Sequence, residues 1–168
     1  MDLRSDYAEA HYNLADVYEE IPDYAKALEE YQRAIDTDPT LYAAYNNLSR
    51  LYILRLKDPG AAERLLDRAL SLDPPERAVQ YTLYKNYGWA NLELQQFGTA
   101  EQHLRKAVSL DMERGSAHCL LAKALDAEGK MNEAVGEWES CVAFASQPEV
   151  EPEWRNEAQE RLKGEMAK

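Results

Sequence analysis

The sequence predicts an all-α fold built from repeated antiparallel helix pairs. Three observations carry that expectation. Apolar residues recur at helical spacing along most of the 168 residues, which places one stripe of side chains on one face of a helix. Only seven glycines and seven prolines punctuate the chain, and they fall between the periodic stretches. Finally, one segment is written four times: Ala27-Leu28-Glu29-Glu30-Tyr31-Gln32-Arg33-Ala34-Ile35-Asp36-Thr37-Asp38-Pro39 is echoed from Ala62 to Pro74, from Ala100 to Met112 and, more weakly, from Ala134 to Ser146. Ala34, Ala69, Ala107 and Cys141 mark one equivalent position, in steps of 35, 38 and 34 residues. That period belongs to a two-helix repeat.

Each copy has an upstream half with its own phase: Leu14-Ala15-Asp16-Val17-Tyr18, Leu48-Ser49-Arg50-Leu51-Tyr52, Tyr87-Gly88-Trp89-Ala90-Asn91 and Leu121-Ala122-Lys123-Ala124-Leu125. The small residue leaves a flat spot where another helix can approach, and Ala27, Ala62, Ala100 and Ala134 supply the matching flat spot downstream. Asp6 and Glu9 read as a capping box opening the first helix. Asp38-Pro39 and Asp73-Pro74 end downstream helices, because proline pushes its predecessor out of the helical region. After Pro74 come four residues more than the repeat needs, and Pro75-Glu76-Arg77 suits a helix first turn, so the third upstream helix is expected to be a turn longer. Past Pro148, Pro152 opens a segment with Trp154, Ala158, Leu162 and Met166 at steps of four. Such an apolar stripe on a charged helix suits the cap over a last repeat.

The landmarks resemble those of the tetratricopeptide repeat. In the first unit, about 8–41, they are His11, Leu14-Ala15, Tyr18, Ala27, Tyr31, Ala34 and Pro39. The second, about 42–76, has Tyr45, Leu48-Ser49, Tyr52, Ala62, Leu66, Ala69 and Pro74, with one extra residue in the Lys57-Asp58-Pro59-Gly60 turn. The third, about 81–114, has Tyr84, Tyr87-Gly88, Ala100, Leu104 and Ala107, with Asn91 in place of a large residue and Met112 in place of the proline. The fourth, about 115–148, has His118, Leu121-Ala122, Leu125, Ala134 and Trp138, its proline displaced to Pro148. The resemblance implies a single domain over residues 1–168, a right-handed solenoid whose upstream helices line a concave side, closed by a capping helix at about 152–166.

It also implies that the second, fifth, sixth and ninth positions of each upstream helix face that groove. Here they are Glu9, Tyr12, Asn13 and Asp16; Ala43, Asn46, Asn47 and Arg50; Thr82, Lys85, Asn86 and Trp89; Ser116, Cys119, Leu120 and Lys123. Asn13, Asn47 and Asn86 recur at one position, and a side-chain amide pairs with a peptide backbone whatever its sequence. With helices roughly 10 Å apart, three asparagines span about 20 Å, or about six extended residues at roughly 3.3 Å each. The alternative is that asparagine fills this position by bonding neighbouring helices. Arg50, Lys85 and Lys123 form a basic stripe suited to acidic side chains, or else keep the groove soluble by pairing with nearby glutamates. Trp89 offers a flat apolar anchor. The family's carboxylate clamp finds one matching residue in either frame, Asn47 or Asn86, so a standard chaperone-tail receptor is not expected.

Composition limits the alternatives. With 19 basic and 31 acidic residues the formal net charge is −12, which disfavours nucleic acid and anionic membranes. The longest apolar run, Cys141 to Ala145, is too short to span a bilayer, and the acidic first twenty residues do not read as a secretory signal. Cys119 and Cys141 are too few for a disulfide scaffold and fit a reducing, cytoplasmic setting. His11 and His118 share one repeat position and read as packing residues, while His118-Cys119 lacks a further metal ligand at the right spacing, since Cys141 falls on the other helix. No phosphate-binding loop or nucleophile elbow is present. The expectation is therefore a non-enzymatic module, without cofactor or metal, that binds an extended peptide segment through Tyr12, Asn13, Asn46, Asn47, Arg50, Lys85, Asn86, Trp89 and Lys123. The alternatives are a scaffold or oligomerisation spacer, or the regulatory domain of a larger protein.

Overall fold

The computed structural model describes residues 3–144 and 152–166. Those residues are helical throughout apart from short connections, with no strand among them. The chain divides into two compact units, Met1–Val79 and Gln80–Lys168.

The first unit holds α1 (Leu3–Glu20), α2 (Tyr24–Thr37), α3 (Tyr42–Leu51) and α4 (Pro59–Ser71), each packed on the next. Small residues set the approach of α1 to α2: Ala8, Ala15, Ala27 and Ala34 are fully buried, and Tyr31 and Ile35 fill the space between them. α1 begins ahead of Asp6, so the expected capping box does not start it; the stretch before Asp6 contains no glycine or proline to stop the helix. Capping is seen one helix later, where Asp23 Oδ1 accepts from Lys26 N at 3.3 Å. Asp38 closes α2 by donating its amide to the Ala34 carbonyl at 2.9 Å, and its carboxylate then accepts from Thr40 N at 2.8 Å.

The extra residue of the second unit lies elsewhere than expected. α3 continues as a π-helical segment, Tyr52–Leu56, and Lys57 leaves it in the left-handed region at φ 54°. Widening the helix for one turn absorbs an inserted residue without disturbing the helices on either side. The turn after it stays short: Asp58 caps α4, its Oδ1 accepting from Ala61 N at 2.9 Å, and Pro59 takes the first helical position.

The second unit holds α5 (Arg77–Glu93, whose first turn precedes the boundary), α6 (Phe97–Leu110), α7 (Gly115–Ala127), α8 (Met131–Ala143) and α9 (Pro152–Met166). α5 is longer by one turn ahead of residue 81, as expected, though it starts at Arg77 and leaves Pro75 outside. Gly88 permits the close packing of α5 on α6: a Cβ there would lie 2.3 Å from Leu104 Cγ. Met112 replaces a proline harmlessly because Asp111 makes the turn, its amide bonding the Ala107 carbonyl at 3.1 Å. α9 lies where a cap was expected, packed on α8 and α7, with Ala158 fully buried and Leu162 half-buried. Pro148 and the Met166 side chain lie outside the described residues.

Two features run against the sequence reading. Cys119 and Cys141 are bonded as a disulfide between α7 and α8, their Cα atoms 4.8 Å apart and both fully buried. The expectation of two free thiols is thereby corrected, and so is the placement of Cys119 in a groove. The packing explains it: Cys141 sits at a small-residue position of the seam, and Cys119 stands opposite it on α7, with the two Cα atoms near enough for the sulfurs to bond. The other feature is an open face on α1. In α3 the positions occupied by Leu48 and Leu51 are buried, whereas the equivalent Leu14 and Val17 are 40% and 48% exposed, with Tyr7 and Ile21 beside them.

Candidate functional site

In the first unit, α1 and α3 bring their predicted site residues together over a fixed polar floor. The Asn47 amide nitrogen donates to the Tyr12 hydroxyl and to Asp16 Oδ1, both at 3.0 Å, and to the Tyr31 hydroxyl at 3.3 Å. Tyr31 in turn donates to Asp16 at 2.5 Å, and Asn46 donates to Asn47 Oδ1 at 2.9 Å. The rings of Tyr12 and Tyr31 lie 5.9 Å apart. Burial, together with the Asp16 carboxylate, pushes the hydroxyls of both tyrosines up, so they stay protonated as fixed dipoles. Asn47 therefore bonds neighbouring helices, the alternative the sequence left open for the recurrent asparagine. Asn13 is exposed, and Arg50 is half-buried near Glu19, whose carboxyl is raised by burial and partly restored by Arg50.

The second unit treats the same positions differently. Asn86 is fully buried and Lys85 is only 8% exposed. Ser116 is buried, its hydroxyl 3.0 Å from that of Tyr81, and Leu120 is buried beside it. Trp89 meets Trp154 of α9 edge to face, their centroids 4.9 Å apart, while its indole nitrogen donates to Glu93 at 3.3 Å. Lys123 pairs with Glu157 of α9 at 2.7 Å, its ammonium 5.9 Å from the Trp154 centroid. Two of the predicted ligand-reading residues thus meet the chain's own last helix. Sequence reasoning took Trp154 only as an apolar cap residue; the signal it passed over is Glu157, three residues on and therefore on the same face.

The histidines do more than pack. His11 Nδ1 lies 2.6 Å from Glu30, and His118 Nδ1 lies 2.6 Å from Glu137, the same spacing of nineteen residues in two repeats. Nε2 of His118 donates to the Met112 carbonyl at 2.9 Å. Burial works against its charge, but the bonds to Glu137 and Met112 prevail and raise its pKa. Among the described residues no three His, Cys, Asp or Glu side chains are placed to hold a metal ion, and no helix is long and apolar enough to cross a membrane.

Profiles of the tetratricopeptide repeat match residues 8–41, 42–76 and 81–112. The chain belongs to the tetratricopeptide repeat family. The helix pair α7–α8 adds a fourth repeat-like unit beyond the matched residues. No curated protein matches it in sequence. Solved structures share its fold. A MamA protein is 19% identical with a TM-score of 0.70, the match covering 94% of this chain and 89% of that one. A thermophilic tetratricopeptide repeat protein of Thermus thermophilus is 21% identical with a TM-score of 0.72, covering 92% and 81%. The first repeat domain of Spaghetti (RPAP3), solved bound to the HSP90 peptide SRMEEVD, is 23% identical with a TM-score of 0.67, covering 74% and 95%. Tetratricopeptide repeats are protein-interaction modules, and that is the class of this chain.

Proposed function

We propose that this repeat module binds a peptide segment bearing acidic residues on the face of its first helices. The observation that carries the reading is in the first unit: exposed Asn13 and half-buried Arg50 stand beside the network that fixes Tyr12, Asp16 and Asn47 in place. A preformed polar floor lowers the ordering cost of binding, and Arg50 supplies a cation for a carboxylate. The RPAP3 neighbour, solved with a peptide carrying two glutamates and an aspartate, supports a peptide of this kind on this fold. The clamp residues still do not match here, so a chaperone tail is not the ligand proposed. In the second unit Lys85, Asn86, Trp89 and Lys123 stand at the corresponding positions, of which Asn86 acts as support from within the core.

The test is affinity capture from the native cell's lysate with the wild type beside an Asn13→Ala, Arg50→Glu variant, both verified as equally helical. A partner lost by the variant supports the reading, and one retained equally opposes it. A scaffold role is the second reading, favoured by the open apolar face of Tyr7, Leu14, Val17 and Ile21 on α1. Sedimentation distinguishes it, since self-association through that face would disappear on Val17→Glu and survive Arg50→Glu. The buried disulfide supports an oxidising compartment over the cytoplasmic placement expected from the sequence. Alkylation of protein from the native cell, before and after reduction, checks this: thiols that label without reduction would favour the cytoplasm.

A further inference from the structure

The α5 and α7 residues that meet α9 point to a specific ligand chemistry. Trp89 and Lys123 hold the same repeat position, the ninth, which in the first unit is occupied by Asp16 and Arg50. Both are engaged by one short stretch of α9: Trp154 and Trp89 meet in a T-shaped contact, and Glu157, three residues on, pairs with Lys123. Lys123 also lies against the Trp154 ring, so one cation serves an aromatic face and a carboxylate together.

α9 also packs on α8 and α7. Within that packing Ala158 is fully buried, Leu162 is half-buried, and Arg161 reaches Asp126 at 3.3 Å. The ion pairs Lys123–Glu157 and Arg161–Asp126 are partly open to solvent and each contributes little, so a partner that supplies the same groups can exchange with α9. Its place on the face is favoured by being joined to α8 through only eight residues, 144–151, since a short tether gives an effective concentration in the millimolar range.

We propose that α9 is a tethered occupant of the α5–α7 face, and that the partner segment it stands in for is a helix carrying an aromatic residue followed three positions later by an acid. The proposal rests on the reading of this face as a ligand surface, and it adds the partner's chemistry and the self-occupancy that regulates access. A partner with the same two groups and a larger apolar contact displaces α9, and binding is then weaker than the intrinsic affinity by the fraction of molecules already open.

The probe is a fluorescein-labelled peptide of residues 152–166, titrated by anisotropy against the full-length wild type and a full-length Trp154→Ala, Glu157→Gln variant. The variant is expected to bind the probe about tenfold more tightly, corresponding to a wild type closed in about nine molecules of ten. Lys123→Glu added to the variant removes binding, and a probe carrying Glu157→Lys restores it. Equal affinity for wild type and variant, absence of binding to the variant, or binding indifferent to Lys123→Glu would each overturn the proposal. Should the variant lose helicity, hydrogen exchange on the wild type decides: excess unlabelled peptide must speed exchange in α9 while leaving α8 unchanged, and an unaffected α9 overturns the idea. Capture through Asn13 and Arg50 is read on variants with α9 intact, so failure of this proposal and failure of the proposed function are read separately.

Discussion

Gly88 shows how much one missing methyl decides. Its absent Cβ would fall 2.3 Å from Leu104 Cγ and 2.7 Å from Cδ2, inside any tolerable contact. Gly88→Ala gains about 1 kcal/mol in helix propensity, but overpacking of this kind costs typically about 1–3 kcal/mol, so the substitution lowers stability in urea denaturation. Leu104→Ala alone opens a cavity at a cost of about 2–5 kcal/mol. The double substitution costs less than the two singles added, because the new methyl occupies part of the vacated space; additive losses would refute the contact. His118 gives a pH prediction. Its folded-state pKa is raised above the ordinary 6.5 by Glu137 and Met112, so its contribution to stability is full below about pH 6.5 and disappears as pH rises through the folded value. Thermal melts from pH 5.5 to 8.5 should show the wild type losing stability relative to His118→Gln across that interval. Parallel curves would mean that folding leaves the His118 pKa unshifted, and the raised value would be refuted.

At the scale of elements, the helix pairs were legible because a small-residue seam repeats four times, and the positions of α2, α4, α6 and α8 follow from it. What escaped the sequence lies where one helix's contents depend on another's placement. The inserted residue of the second unit was visible, yet its absorption in the Tyr52–Leu56 π segment depends on α4 holding its own register. The recurrent asparagine was visible too, but whether Asn47 faces a ligand or bonds Tyr12 and Asp16 is set by the α1–α3 spacing. Cys119 and Cys141 sit 22 residues apart, and only the depth of the α7–α8 contact makes them partners. Closing a loop of that length removes unfolded-state entropy worth roughly 3 kcal/mol. Reduction, or Cys141→Ser, should therefore lower the denaturation midpoint by that order with the helical content kept. A midpoint indifferent to reductant would show that the bond contributes nothing.

Over the whole molecule, stability in a repeat protein is a sum of units and the interfaces that cover them, so it is uneven wherever cover is uneven. In the first unit α1 leaves Tyr7, Leu14, Val17 and Ile21 open to water, and a helix covered on one side frays more readily than one covered on two. In the second unit α7 is buried along nearly its whole length, bonded to α8 through Cys119–Cys141 and overlaid by α9. Arg105 and Glu133 pair between α6 and α8, and Lys130 bonds Glu101 at 2.6 Å, holding that carboxyl down to about 2. Hydrogen exchange followed by mass spectrometry should accordingly rank the helices, with amides of α1 and α9 exchanging first and those of α7 and α8 last. Reductant should shorten the lifetimes in α7 and α8 while leaving α1 unchanged, because the cross-link acts on the pair it joins. If α1 proves as protected as α7, its apolar face is covered in solution, and self-association through Leu14 and Val17 becomes the better account of that face.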